Sequence, residues 1–137
     1  MLEELEDLIN KIEEKNKEVK EFEDKKNYEM SFSKNYELFD LYLKFSKLCF
    51  SKRDSLNEKY RNKWIEAKNF INNFVKKYID YEEKWVLIVD GEIKEQDENL
   101  ANIIDKKILY ERSKINSLFE VYVPKITIKK KEINEGE

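Results

Sequence analysis

The strongest strand signal in the chain is the sequence KWVLIVDGEIKEQDEN, residues 84–99. Its residues 85–89 are five apolar side chains, mostly β-branched or aromatic, which suit a pleated strand better than a helix. The run then meets Asp90 and Gly91. A type I′ turn needs a positive φ at both central positions, which glycine accepts freely and aspartate better than most residues. We therefore predict a β-hairpin that turns at Asp90-Gly91, with Trp85, Asp90 and Gly91 as structural residues.

The two strands of this hairpin differ in polarity. With a two-residue turn, Leu87 faces Lys94, so the first strand is apolar on both faces while the second has one polar face. That contrast is typical of a central strand beside an edge strand. Residues 118–123 predict a third strand that ends before Pro124. A right-handed crossover through a helix at residues 100–112 would place the third strand beside the first, which gives the order 2-1-3.

Each face of the predicted sheet needs a layer of helices over it. We expect the helix at residues 100–112 to cover the face that carries Val86 and Ile88. The third N-terminal helix is then expected to cover the opposite face, which would bury Trp85 and Leu87 between two layers.

Three helices are predicted ahead of the hairpin because apolar residues recur there at helical spacing. The first could be one helix of an intramolecular bundle, or a coiled-coil arm that dimerises or grips a partner. The second carries apolar residues on more than one face, which favours a central position among the helices. The predicted bounds are residues 2–26, 34–51 and 56–79, with a polar break at 27–33 and helix caps at Ser33 and at Asp54 or Ser55.

The predicted fold class is therefore α+β, in one continuous unit without a Gly-rich or Pro-rich linker. Residues 1–80 are predicted to form a helical hairpin or bundle of three helices. Residues 81–128 would form a ββαβ unit, an antiparallel three-stranded sheet packed on the third helix, with residues 126–128 as a possible short extra strand. The charged residues 129–137 are predicted to be disordered.

The C-terminal pattern consists of Tyr81, Lys84, Trp85–Gly91, Ile93, Asp97, Leu100 and Phe119–Pro124. In this pattern the segment from about Phe74 to Lys125 resembles the DUF5678-like family, a prokaryotic family of unknown function. That family joins a helix to a hairpin with an Asp-Gly turn, then a helix opened by acidic residues and a strand ending near Val-Pro. Its usual Val-Val in the second strand is Ile93-Lys94 here. The resemblance implies a ββαβ fold and no assigned activity, so it transfers no functional residues.

Composition limits the class of protein. An aromatic share of 13% argues against a disordered chain, and the scarcity of glycine and proline favours helices. A net charge of −3 gives no general attraction to nucleic acid or anionic membranes. The acidic N-terminus does not resemble a secretion signal, and we expect a cytoplasmic location. The richness in Lys, Asn, Ile and Glu suggests an AT-rich prokaryotic, phage or plasmid genome.

Many kinds of catalytic site are excluded by the residues that are missing. The chain has no histidine, which removes the commonest general base and most zinc sites. A single cysteine, Cys49, is expected to be a core thiol, and one internal glycine cannot build a phosphate-binding loop. The carboxylates at residues 90–98 are expected to serve as turn residues, helix caps and a solvated edge. We predict no catalytic, cofactor-binding or metal-ligating residues.

The middle of the chain is basic, with 11 Lys and Arg against 7 Asp and Glu from Tyr28 to Asp80. Basic residues interleaved with aromatic ones can bind nucleic-acid backbones and bases. They can equally form a solvated face that balances the acidic first helix. The candidate nucleic-acid contacts, on a basic face of residues 44–77, are Lys52, Arg53, Lys59, Arg61, Lys63 and Lys68.

Two functions remain open from the sequence. The first is a small non-catalytic interaction protein that binds a protein partner or self-associates through its helices, for instance a phage- or plasmid-encoded inhibitor or regulator. The alternative is a nucleic-acid-associated protein that uses the basic face. Binding to nucleic acid that weakens steeply with salt would distinguish the second from the first.

Overall fold

The structure, a computed structural model, describes residues 2–126. Within that range the chain forms four α-helices and three β-strands, and its α+β class agrees with the prediction. Short 3₁₀ turns at Arg53–Ser55 and Ile79–Tyr81 flank the third helix. The elements are α1 (Leu2–Asp24), α2 (Tyr28–Ser51), α3 (Glu58–Tyr78), β1 (Lys84–Val89), β2 (Glu92–Asp97), α4 (Leu100–Tyr110) and β3 (Leu118–Val123).

The first three helices form a bundle in which α2 lies between α1 and α3. The turn from α1 to α2 spans three residues, so the two helices run antiparallel and α1 folds back on α2. A hydrogen bond joins α1 to α2, in which the Asn16 side chain donates to the Tyr42 hydroxyl at 3.3 Å. The apolar residues Leu5, Ile9 and Ile12 of α1 are buried in the shared core. These contacts are those of a bundle helix and not of a projecting arm.

The helix starts differ from the predicted ones. Residues 27–33 are not a polar break, because α2 begins at Tyr28, and the Asn27 side chain caps it by accepting the Met30 N–H at 3.3 Å. Lys26 adopts a φ of 58°, so the turn ending α1 is made without glycine. The third helix is capped by Asn57 and not by Asp54 or Ser55. Asparagine fills the cap role that we assigned to serine and aspartate, for the same reason of a short side-chain oxygen.

The sheet has the predicted strand order β2-β1-β3, and both pairings are antiparallel. The register is as expected at the turn, where Ile88 pairs with Ile93, but Leu87 pairs with Glu95 and not with Lys94. Lys94 is thus the extra residue of a β-bulge. The bulge places Glu95 on the same sheet face as Leu87.

The two layers of helices lie on the opposite faces from those predicted. Helix α4 covers Leu87 and Val89, where its Ile103 is fully buried, whereas the bundle covers Val86 and Ile88. The prediction was wrong because β1 is apolar on both faces, so its composition does not tell which face receives the crossover helix.

Aromatic rings join the bundle to the sheet. The rings of Phe39 and Phe74 stack at a centroid distance of 4.0 Å with an interplanar angle of 13°. Phe32, near the start of α2, contacts both Tyr78 of α3 and Phe119 of β3. Since offset and edge-to-face aromatic pairs add to the free energy of burial, this cluster stabilises the packing of helices against strands.

Trp85 is only half-buried, and not enclosed between two layers as we expected. Its ring contacts Tyr122 edge-to-face at 5.5 Å. We expect Trp85→Ala to lower the free energy of unfolding by about 1–2 kcal/mol, less than the ~3–5 kcal/mol of a fully buried tryptophan. Urea unfolding measures this. Leu87→Ala at a fully buried neighbouring site is the comparison and should cost about 2–5 kcal/mol. A larger loss for Trp85 than for Leu87 would contradict the half-buried position.

Strand β3 ends at Val123, and the described part of the chain continues through Pro124 to Ile126. Ile126 donates its N–H to the Glu82 carboxylate at 3.0 Å and packs on the core. The predicted strand at residues 126–128, beyond its first residue, and the predicted disorder of residues 129–137 lie outside the described residues. Across residues 2–126, the helices are too short or too polar to cross a bilayer.

Candidate functional site

The six basic candidates do not form one exposed face. Lys68 is 6% exposed, and its ammonium lies 4.6 Å from the Trp64 ring centroid. Lys63 forms an ion pair with Glu66 at 3.2 Å. These two residues are therefore held by neighbouring side chains of the same helix.

The remaining basic candidates lie at the other end of α3 and in the turn before it. Lys59 forms an ion pair with Glu6 of α1, and that hydrogen bond lowers the pKa of Glu6 and raises the pKa of Lys59. The Arg53 guanidinium donates to the Phe50 carbonyl at 2.8 Å. Lys52 is half-buried and Arg61 is exposed. Of the six candidates, Lys59 and Lys63 are thus paired with carboxylates, whereas Arg53 and Arg61 are exposed.

Asp90 has a role that the sequence did not reveal. Its φ of 48° and that of Gly91, 88°, fit the predicted turn. One carboxylate oxygen, Oδ1, also accepts the backbone N–H of Asn116 at 3.0 Å and of Ser117 at 2.9 Å. Asp90 therefore fastens the loop after α4 to the hairpin and positions the start of β3.

We expect Asp90→Ala to lower the free energy of unfolding by about 2–3 kcal/mol, because two backbone donors lose their acceptor and alanine is strained at positive φ. Asp90→Asn keeps one oxygen acceptor and tolerates positive φ, so its loss should be about 1 kcal/mol. Chemical denaturation gives both values. Equal losses for the two variants would show that the hydrogen bonds to residues 116 and 117 contribute little.

The carboxylates near the hairpin are occupied by protein partners. Glu95 accepts the Tyr110 hydroxyl at 2.9 Å and pairs with Lys106 at 3.1 Å, and both interactions lower its pKa. Asp97 accepts the N–H of Asn99 at 2.8 Å, which lowers its pKa and supports the start of α4. In the part of the chain that the structure describes, no group of three or more His, Cys, Asp or Glu could hold a metal ion.

The single cysteine is a core residue. Cys49 is fully buried, and burial raises the pKa of its thiol to about 12. The thiolate is the nucleophilic form of cysteine, and burial disfavours it.

An open groove lies between α2 and β3. It encloses about 400 Å³. Its wall includes Tyr36, whose hydroxyl is buried without a hydrogen-bond partner among the described residues, and burial raises the pKa of Tyr36 to about 12. We call this the α2–β3 groove. The apolar residues along it are Phe32, Tyr36, Phe119, Val121 and Pro124, and the carboxylates are Glu29, Glu37, Asp40 and Glu120.

The α2–β3 groove is acidic. Glu37 pairs with Lys15 and Lys34, at 3.3 and 3.4 Å. Within residues 2–126, by contrast, Glu29 and Asp40 have no cationic partner, and both are exposed. Lysine and arginine are absent from the residues that line the groove. Its local field therefore favours a cationic ligand.

The outer edge of β3 is unpaired in the described part of the sheet. The Asp90 N–H donates to the Ser117 carbonyl across from it at 2.9 Å. In an antiparallel ladder, residues that exchange hydrogen bonds alternate with residues whose backbone groups point away from the partner strand. The backbone groups directed to the outer edge are therefore those of Leu118, Glu120 and Tyr122.

On the other side of this edge, α4 exposes apolar residues. Lys107 pairs with Glu120 of β3 at 2.8 Å, which lowers the pKa of Glu120 and marks the side of α4 nearest β3. Leu100 and Ile104, seven and three residues earlier, lie on that same side of the helix, and both are about one-third exposed. Ile108 extends this row by one turn. We call Leu100, Ile104 and Ile108 the α4 apolar strip.

Comparisons with family models, with curated proteins and with solved structures found no match to this chain. The resemblance to the DUF5678-like family over residues 74–125 therefore stays a prediction. The site must be interpreted from its own geometry.

Sequence reasoning missed both the groove and the apolar strip. A signal for the groove existed in the spacing of Glu29, Ser33, Glu37 and Asp40, which recur about once per turn along one side of a helix. It was hidden because residues 27–33 were interpreted as a break. The apolar spacing in residues 100–112 predicts a helix that covers the sheet, but Ile103 is the only buried residue of α4.

Proposed function

We propose that this protein is a non-catalytic interaction protein and that it binds a protein partner at the outer edge of β3. The observation that carries the proposal is the unpaired strand edge between the α2–β3 groove and the α4 apolar strip. Unpaired edges are templates for strand addition, and soluble proteins usually cover or charge them unless they serve recognition.

The charges at this edge favour a protein ligand over nucleic acid. Phosphates would meet the exposed carboxylates of Glu29 and Asp40 in the groove, and like charges repel. Among the basic candidates, Lys59 and Lys63 are paired with carboxylates, and Lys68 is buried. The nucleic-acid alternative therefore has no specific observation in its favour.

The non-catalytic part of the proposal is supported by the chemistry of the side chains. The chain contains no histidine, and its cysteine is buried with a raised pKa. Near the hairpin, Glu95 is bound to Tyr110 and Lys106, and Asp97 accepts the Asn99 N–H, so both carboxylates make structural contacts.

Site-specific photocrosslinking tests the proposal. A benzophenone side chain placed at Tyr122, which is 42% exposed on β3, should yield a discrete crosslinked protein in cells that make this chain. The matched control is the same group at Asn69, an exposed residue on the outer side of α3. Product at position 122 and not at 69 is the expected result. Equal products at both positions, or none at 122, would overturn the proposal.

The same preparations test the alternative. The 137-residue chain should not shift the mobility of DNA or RNA at low salt. Binding whose affinity falls steeply as salt is raised would instead support phosphate contacts and a nucleic-acid function.

A further inference from the structure

We propose that the segment bound at the β3 edge is an extended basic segment of a partner protein, with Lys or Arg alternating with apolar residues, which adds to the sheet as a fourth strand. This inference rests on the proposed function and gives the ligand its chemistry. It follows from the length of the edge and from the different character of its two sides.

The groove and the edge match in length. At about 3.4 Å per residue, the four-residue step from Leu118 to Tyr122 spans roughly 14 Å. At 1.5 Å per residue, the step from Glu29 to Asp40 on α2 spans roughly 16 Å. The site therefore accommodates a strand of about five residues along its whole length.

Side chains of an added strand alternate between the two faces of the sheet. Those on the bundle face would meet the carboxylates along α2, of which Glu29 and Asp40 lie roughly 16 Å apart. Alternate residues of a strand are about 7 Å apart, so two basic residues four positions apart in the ligand, about 14 Å, can reach Glu29 and Asp40. Glu29 and Asp40, which lack a cationic partner within residues 2–126, attract Lys or Arg at those positions.

Side chains on the other face of the added strand would meet the α4 apolar strip. Leu100 and Ile104 are partly exposed on the side of α4 that lies nearest β3. Tyr122 of β3 extends this apolar surface. Apolar side chains of the ligand would bury this surface, which favours Val, Ile or Leu at the positions between the basic residues.

Peptide binding to the ¹⁵N-labelled full chain tests the inference. The probe is the capped peptide Thr-Lys-Val-Lys-Val-Lys-Thr, and the control has the same composition in the order Thr-Val-Lys-Lys-Lys-Val-Thr. We expect the alternating peptide to shift the amide signals of Leu118, Glu120 and Tyr122 and to bind about tenfold more tightly than the control. Equal affinities would reduce the interaction to charge alone and would overturn the inference.

N-methylated peptides test strand addition itself. In an added strand, the backbone N–H groups of every second residue donate hydrogen bonds to the carbonyl groups of the edge strand. Methylation of the amides at one set of alternate positions should abolish binding, whereas methylation of the other set should leave it within about threefold. If both sets weaken binding equally, or neither does, the peptide does not add as a strand.

A charge-reversal pair tests the groove. Glu29→Lys with Asp40→Lys should weaken the alternating peptide at least about tenfold. Glu3→Lys with Glu21→Lys makes the same change in net charge on exposed positions of α1 and should leave binding within about threefold. Equal weakening by the two pairs would mean that the general field, and not the groove, attracts the peptide.

The same binding experiments distinguish two other occupants of the β3 edge. Residues 127–137 contain three lysines, at 129–131. If the peptide binds only when these lysines are replaced by serine in the full chain, the protein's own segment occupies the site and the inference is overturned. A dimer whose dissociation accompanies peptide binding would assign the edge to a second copy, with the same consequence. Crosslinking at Tyr122 without peptide discrimination would overturn this inference and leave the proposed function standing.

Discussion

Phe74→Ala is expected to lower the free energy of unfolding by about 3–5 kcal/mol, the largest effect among the substitutions considered. Phe74 is 4% exposed. Its ring stacks on Phe39 at 4.0 Å and meets Tyr36 edge-to-face at 4.9 Å. Alanine would leave a cavity at the centre of the aromatic cluster, since neighbouring rings held by both helices and strands cannot collapse into it.

Urea or guanidinium unfolding of the full chain measures this loss. Ile65 lies on the same helix, α3, but is 54% exposed, and Ile65→Ala removes a comparable apolar side chain from solvent contact. It should change the free energy of unfolding by less than about 0.5 kcal/mol. A loss below about 1 kcal/mol for Phe74 would mean that the cluster does not hold the bundle together.

Gly91→Val should lower the free energy of unfolding by about 2–4 kcal/mol, through two separate causes. The φ of Gly91 is +88°, where a β-branched residue is strained. A Cβ at this position would also lie 3.1 Å from the ring of Tyr28, at the start of α2. The ring of Tyr28 would have to give by a few tenths of an ångström to admit this Cβ.

Two further variants separate the causes. Gly91→Asn tolerates the positive φ better, so it should lose less than Gly91→Val. Tyr28→Ala removes the ring that the new valine side chain would contact. The double variant Gly91→Val with Tyr28→Ala should therefore lose less free energy of unfolding than the sum of the losses of the two single variants. Additive losses would show that backbone strain acts alone. An unchanged midpoint for Gly91→Val would contradict the hairpin itself.

These two substitutions identify what joins the halves of the molecule. The aromatic cluster and the contact of Tyr28 with the turn are formed between elements far apart in sequence. Three rings of this cluster, those of Phe32, Tyr36 and Phe119, also line the α2–β3 groove. Stability and the proposed binding surface therefore depend on the same rings.

Part of this fold was predictable because its signals are local. The hairpin turn at Asp90-Gly91, the three strands and the order β2-β1-β3 follow from the β-branched run, the demand for positive φ and the handedness of crossovers. The helix starts were predicted less well because several neighbouring residues can cap a helix equally well, and the sequence does not tell that Asn27 and Asn57 are the ones used.

The sequence by itself determined the class of fold, the position of the turn and the absence of histidine chemistry. The tertiary structure alone decided which sheet face α4 covers, that Lys59, Lys63 and Lys68 are held within the bundle, and that Glu29 and Asp40 stand beside an open strand edge. The physical reason is that periodicity states which side of a single element is apolar. Which elements those sides meet depends on packing over the whole chain, where an apolar strand has two equivalent faces and a lysine has many possible partners.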